Sequence, residues 1–315
     1  MSKKVIVIAG PTASGKTALG IELACAMDGE IVSADSMQVY RRMDIGTAKA
    51  SPEELSLAPH HMLNVAEPWE DYSVSRYVEA AAACCEDIMS RGKLPIIVGG
   101  TGLYIDSLIS GRDFAARYGD DENLRAELGA EYDRVGGEMM LNKLRAFDPE
   151  RADKLHPSDR RRIVRAIEIF MLTGLTATEH DRRTQALPPR YEAARIVLNY
   201  ARRDELYRRI DERVDRMVAD GLFDEVAVLI SGGVPEDCTA MQAIGYKEAA
   251  LALRGGCSKE DAVAAIKQNS RRYSKRQITW FRRWEDALKI NWPSSPDFEW
   301  ARQVSTEFLH SRGIS

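Results

Sequence analysis

The sequence predicts an α/β fold: a parallel sheet flanked by helices, with an all-helical insertion domain. Three observations carry this. The run VIVIA (residues 5–9) leads into a glycine-rich loop and then KTALGIELACAM, whose apolar residues recur at helical spacing. EIVSAD (30–35) and LPIIVGG (94–100) read as further strands separated by the helical stretch VSRYVEAAAACCEDIMSRG, and such alternation favours a parallel sheet with helices on both faces. From about Phe114 the strand candidates stop, and they resume only at RIVLNYA (195–201), after the breaker LPPR.

Within the strandless stretch, DENLRAELGAEYDRV, GEMMLNKLRAF and SDRRRIVRAIEIFMLTG read as short charged helices. The expected division is a core of residues 1–113 and 186–315, with residues 114–185 as the insertion. Beyond it, DELYRRIDERVDRMVADG places Leu206, Ile210, Val214 and Met217 on one face and ends at the capping candidate Gly221. Ser258 with Asp261 resembles a capping box opening the last long helix.

Composition is ordinary for a globular chain: 315 residues, 44% hydrophobic and 29% charged. No apolar run is long enough to span a bilayer, and the basic start MSKKVIVIAG continues into the glycine loop instead of a cleavage site, so no signal peptide and no membrane are expected. The five cysteines form no CxxC pair, which suits free thiols in a reducing compartment, the cytoplasm. The net charge of -4 argues against a nucleic-acid binder, yet SRRYSKRQITWFRRW (270–284) holds six basic residues, four aromatics and no acid. That segment reads either as a helix with Tyr273, Ile278 and Phe281 inward, or as a surface that grips a phosphate backbone and stacks bases.

GPTASGKT, comprising Gly10, Pro11, Thr12, Ala13, Ser14, Gly15, Lys16 and Thr17, fits G-x-x-x-x-G-K-[ST] between a strand and a helix, which makes the core P-loop NTPase-like. Backbone amides and the helix N-terminus surround an anion, Lys16 adds a point charge and Thr17 can ligate Mg²⁺. The cradle recognises a diphosphate unit, and nothing in it demands an adenosine. Asp35, at a strand end, has three readings: a carboxylate near Mg²⁺, a base facing a substrate proton, or a helix N-cap. GGTGLY (99–104) places Thr101 at another strand end.

With DSMQVY (35–40), DIGTAK (44–49), HPSDRRRIVRAIEI (156–169), AIGYKE (243–248) and KRQITWFR (275–282), these motifs form an ordered set over nearly the whole chain that resembles the tRNA dimethylallyltransferases. The resemblance implies transfer of a dimethylallyl group from dimethylallyl diphosphate to N6 of the adenosine just 3′ of the anticodon, position 37 of tRNA. An allylic diphosphate fits a phosphate cradle without a base pocket, and charge that builds on the leaving diphosphate would meet Lys16, the loop amides and Mg²⁺ on Thr17. The resemblance makes Asp35 the base, with Lys16 and Thr101 at the reacting groups. It places Asp35, Ser36, Met37, Gln38 and Thr101 around the target adenine, and Arg125, Arg161, Arg162, Ile163, Val164 and Arg165 against the tRNA anticodon stem-loop. It also suggests a monomer.

Two departures leave that chemistry untouched: HPSD replaces the family's more usual HPND, and no proline follows Lys49. The segment RDFAARYGDD before Arg125 is about two residues longer than the family pattern. Prenylation of free AMP, ADP or ATP shares the loop and the Asp, but the arginine-bearing insertion favours RNA. A P-loop kinase or ATPase would need a nucleoside pocket and lid arginines. A non-catalytic RNA binder would leave Lys16, Thr17 and Asp35 unexplained.

Overall fold

The computed structural model describes residues 3–111 and 122–314. RDFAARYGDD, and with it the expected boundary at 113/114, lies outside the described residues. The chain divides into two compact units, residues 1–109 with 191–315, and residues 110–190.

The first unit begins β1 (Lys4–Ala9), α1 (Lys16–Ala26), β2 (Gly29–Ser33), α2 (Pro52–Leu57), β3 (His60–His61), α3 (Val74–Ser90), β4 (Leu94–Gly99) and α4 (Gly102–Ser110). The second unit holds α5 (Glu122–Val135), α6 (Gly137–Arg145), α7 (Pro149–Ala152), α8 (Arg160–Thr173) and α9 (Ala177–Gln185). The chain then returns through β5 (Glu192–Tyr200), α10 (Arg203–Ala219), α11 (Leu222–Ser231), α12 (Tyr246–Leu253), α13 (Lys259–Phe281), β6 (Leu288–Trp292) and α14 (Phe298–Ser311).

Six strands pair in the order β3-β2-β4-β1-β5-β6, every pair parallel, with Ile6 opposite Ile96 and Ile196 opposite Leu288. The central strands are buried nearly throughout, as continuous Val and Ile runs require of a sheet covered on both faces. Because β2, β4 and β1 are neighbours, the segments that follow them open side by side at the carboxyl edge, where open parallel sheets bind ligands.

Two local expectations change. The helix opened by Ser258 is not the last, since β6 and α14 follow it. Ser258 caps it by accepting from Asp261 N, but its hydroxyl donates to the Asp261 carboxylate, so half of the capping box is replaced by a side-chain bond. The α10 helix is capped at Asp220, with Gly221 taking the left-handed turn just beyond. Among the described residues no helix is long and apolar enough to cross a membrane.

Edge strand β3 is tied to the sheet by one buried carboxylate. Glu30, 3% exposed, accepts from both terminal nitrogens of Arg91, just past α3, and bonds His61 Nε2 at 2.8 Å. The Arg91 hydrogen bonds, aided by His61 and opposed by burial, bring its carboxyl down to about 2. Its stabilisation is therefore complete above the unfolded carboxyl value and fades as the pH falls from there towards 2. Glu30→Gln is expected to cost about 2 kcal/mol in urea unfolding at neutral pH. The gap to the parent should stay level above pH ~5 and narrow on acidification; a gap that widened would contradict the assignment.

Candidate active site

The loop of residues 10–15 is shaped by close backbone approach. A Cβ on Gly10 would lie 2.3 Å from Leu198 O of the neighbouring strand, so only glycine lets β1 turn there. Helix α1 starts on Gly15 in the left-handed region with no side-chain cap, which leaves its first-turn amides open to an anion. Trp292 of β6 holds the loop from outside, its Nε1 donating to Ser14 O at 2.9 Å. Lys16 Nζ donates to Pro11 O at 2.7 Å. Burial, reinforced by Arg213 and opposed by Asp35, pulls the Lys16 ammonium down to about 7.

Asp35 lies two residues beyond β2 and caps no helix. Its Oδ1 accepts from Met37 N at 2.9 Å, a turn that fixes the carboxylate at the sheet edge. Thr101, beyond β4, accepts from Ser36 N at 3.1 Å, and its own N–H donates to Ala34 O. Gln38 is committed elsewhere: Nε2 donates to Thr47 O and Ala48 O, and Oε1 accepts from Ser33 Oγ.

Helix α13 closes the arrangement from the far end of the chain. Gln277 Oε1 accepts from Thr12 N at 2.9 Å while its Nε2 donates to Gly100 O at 3.1 Å, joining the two glycine-rich loops through one amide. Gly100 has no room for a side chain, since a Cβ would sit 2.2 Å from Gln277 Nε2. Tyr273, one turn earlier, lines the same space, and burial with the nearby Asp35 charge pushes its phenol up to about 12.

Lys16, Asp35, Gly100, Tyr273 and Gln277 line one cavity of ≈ 330 Å³. Its charged residues are Lys16, Asp35, Arg213 and Arg276, three cations against one carboxylate; Thr17, Thr12 and His60 also face it. Val214, Met217, Ile244 and Ile266 supply apolar wall. Arg213 donates to Thr47 O at 3.3 Å, and burial lowers its guanidinium from the usual value. His60 donates from Nδ1 to Ala58 O at 2.8 Å, and burial lowers its imidazole too.

Sequence reasoning missed Arg213, Arg276 and Gln277 as site groups. The first carried a signal: Arg213 follows Leu206 by seven and Ile210 by three, so a charge sits on the apolar stripe of α10. Gln277 shares the buried face of α13 with Ser274 and Phe281. Tyr273, expected to pack inward, faces the cavity instead.

In the unit of residues 110–190, the arginines divide. Arg161 is exposed, as is Arg162, whose nearest carboxylate partner, Asp159, is 3.8 Å away. Arg125 and Arg165 both bond the fully buried Glu168, at 2.9 and 2.8 Å. Ile163 and Val164, expected against RNA, have side chains in the core of this unit with Leu141 and Leu144, so outward contact falls to the arginines. His156 is spent locally, on Ser158.

Residues 38–284 match the family described as IPP transferase, and residues 3–63 match isopentenyl transferase. The chain belongs to the IPP transferase family. It is 47% identical to the tRNA dimethylallyltransferase of Geobacillus thermodenitrificans, over 99% of this chain and 98% of that one. It is 45% identical to that of Geobacter sulfurreducens, over 93% and 94%. Among solved structures, the tRNA isopentenylpyrophosphate transferase of Bacillus halodurans superposes with a TM-score of 0.72, at 39% identity, covering 99% of this chain and 98% of that one. A eukaryotic dimethylallyltransferase acting on tRNA gives 0.85, at 31% identity, covering 100% and 81%.

The Gln277 bridge gives this IPP transferase a testable joint. Gln277→Ala leaves a part-buried N–H and a buried carbonyl unpaired, so global stability should fall by about 1–3 kcal/mol. Amide exchange should speed up at residues 10–15 and 99–101 by about tenfold, and the far sheet edge should stay protected. Exchange that rose evenly through the sheet would show the bridge to be an ordinary core contact.

Proposed function

We propose that this IPP transferase moves the dimethylallyl group of dimethylallyl diphosphate onto N6 of the adenosine 3′ of the anticodon, position 37, in tRNA. The observation that carries the reading is the shared cavity: Thr12, Lys16 and Thr17 of the phosphate cradle, two arginines, an apolar wall and Asp35 all face one space, with Thr101 bonded to the Ser36 N–H beside it. The net positive lining suits a diphosphate, and the apolar wall suits a prenyl tail. The relatives' names supply the acceptor class, tRNA.

In this reading the bond from the allylic carbon to the diphosphate oxygen breaks, and its electron pair leaves with the diphosphate. The loop amides, Lys16 and Arg213 take up that charge. The N6 lone pair forms the new bond to carbon, and its proton passes to Asp35. Met37 N–H fixes one carboxylate oxygen, which leaves the other for that proton. Thr101, tied to the Ser36 backbone, orients the adenine edge. Thr17, whose hydroxyl oxygen suits Mg²⁺ and which lines this cavity, would hold the ion. When bound, such an ion neutralises charge on the leaving group. The base leaves its stack to reach the cavity, and we assign the exposed Arg161 and Arg162 to the anticodon-stem phosphates, with Arg125 and Arg165 alongside them.

Pure protein with Mg²⁺, labelled dimethylallyl diphosphate and unmodified tRNA should place label on the tRNA; label on AMP or ATP offered as rivals would overturn the reading. Asp35→Asn should lower turnover by about a hundredfold or more while tRNA affinity stays near the parent's. Equal loss of both would make Asp35 a recognition residue.

Lys16 offers a second test through proton linkage. With a free-state value of about 7, the amine is largely neutral at pH ~8, and a bound diphosphate favours its charged form. Calorimetry in buffers of different ionisation enthalpy should find uptake approaching one proton per dimethylallyl diphosphate at pH ~8, vanishing near pH ~6 and absent in Lys16→Met. Proton release at pH ~8 would contradict it.

A further inference from the structure

The DIGTAK loop hangs from a single carboxylate. Glu225 of α11 accepts from three successive backbone amides, Asp44 N and Ile45 N on Oε2, both at 2.8 Å, and Gly46 N on Oε1 at 3.1 Å. Tyr246 of α12 adds its hydroxyl to Oε1 at 2.6 Å. Successive N–H groups converging on one anion make a nest that fixes backbone direction. The next carbonyl along, Thr47 O, receives Arg213 from α10 and Gln38 from the segment after β2, and Ala48 O receives Gln38 again. Lys49 pins the loop's other end, its ammonium bonded to Tyr40 O, Asp44 Oδ1 and Asn64 Oδ1 at 2.6 to 2.7 Å. Backbone bonds from Ala48 N to Ile45 O and Lys49 N to Asp44 O close the turn, Thr47 Oγ1 donates to Met43 O, and Glu225 is the side chain that gathers the three amides of residues 44–46 just before Thr47.

We infer that Glu225 is a positioning residue: by holding the turn of residues 44–46 it sets the Thr47 carbonyl that aims the Arg213 guanidinium into the cavity. This rests on the diphosphate reading of that cavity. Arg213 carries four rotatable side-chain bonds, and burial disfavours its charge while Asp35 favours it, so Thr47 O is the hydrogen-bond acceptor that fixes which way the guanidinium extends. Glu225 itself touches no reacting atom. Its effect passes through one backbone carbonyl.

The test is a double-mutant cycle on the full chain, read as affinity for inorganic diphosphate by calorimetry. Glu225→Gln keeps the shape and one acceptor oxygen but loses the charge, and should weaken binding about tenfold. Arg213→Ala should weaken it more, and adding Glu225→Gln to that variant should cost less than about twofold further. Should the Gln variant fail to fold, Glu225→Asp, which keeps the charge and draws it back by one methylene, serves the same cycle. Equal losses in the two backgrounds would reduce Glu225 to a general structural role and overturn the inference, as would unchanged binding in Glu225→Gln. If Arg213→Ala alone bound diphosphate as the parent does, the donor site would itself be misplaced, and the inference would fall with it.

Discussion

One side-chain amide holds the two halves of the candidate active site in register. Gln277 takes the Thr12 N–H with its oxygen and gives its nitrogen to Gly100 O, across sequence separations of 265 and 177 residues. The consequence reaches beyond tethering. In a glycine-rich cradle the amides are the ligand, and here one of them is already spent, so the anion is left with Lys16, the remaining loop amides and the open first turn of α1. From Gly100 the constraint passes along the backbone to Thr101, whose hydroxyl accepts the Ser36 N–H beside Asp35. Donor-side and acceptor-side groups therefore share a single rigid reference, α13. That helix is anchored in turn at its far end, where Asp106 of α4 accepts from Trp280 Nε1 and Trp284 Nε1 at 2.8 and 3.0 Å.

The electrostatics of the cavity oppose folding and favour binding. Three cations converge with one carboxylate, and burial lowers both Lys16 and Arg213 from their usual values. Desolvating like charges costs stability unless an anion answers them, so an anionic ligand that binds the folded chain stabilises it by mass action. Elsewhere the chain pairs its buried charges: Glu30 with Arg91 and His61, Glu168 with Arg125 and Arg165. The contrast separates a structural carboxylate, surrounded by donors, from a cavity whose cations outnumber its one carboxylate.

The central part of this fold was legible in the sequence because its strands carry continuous Val and Ile runs, two of them stopping at glycine and one at Asp35. GPTASGKT, Asp35 and Thr101 were legible for the same reason, each standing where such a run stops. The pieces that escaped are short or amphipathic: β3 is two residues long, and β6 alternates Ile290 and Trp292 inward with Lys289 and Asn291 outward, too brief to register as a period. Arg213 and Gln277 escaped for another reason. Both are polar residues on buried helix faces, and a helical pattern shows which face is buried without showing that the space beside it is a ligand cavity.

The motif segments also mix residues held for different physical reasons, and only the structure sorts them. In RRRIVR, Ile163 and Val164 pack the core, Arg165 answers a buried carboxylate, and Arg161 and Arg162 face solvent. In GPTASGKT, Gly10 is required by the Leu198 carbonyl and Lys16 by charge. In DIGTAK, Lys49 is spent entirely on structure, 5% exposed and bonded three ways, while the loop's backbone serves the cavity through Thr47 O. Substituting a motif residue therefore tests function only where its side chain meets the cavity or solvent. At Ile163 or Lys49 the same experiment measures folding, and a loss of activity there would say nothing about substrate.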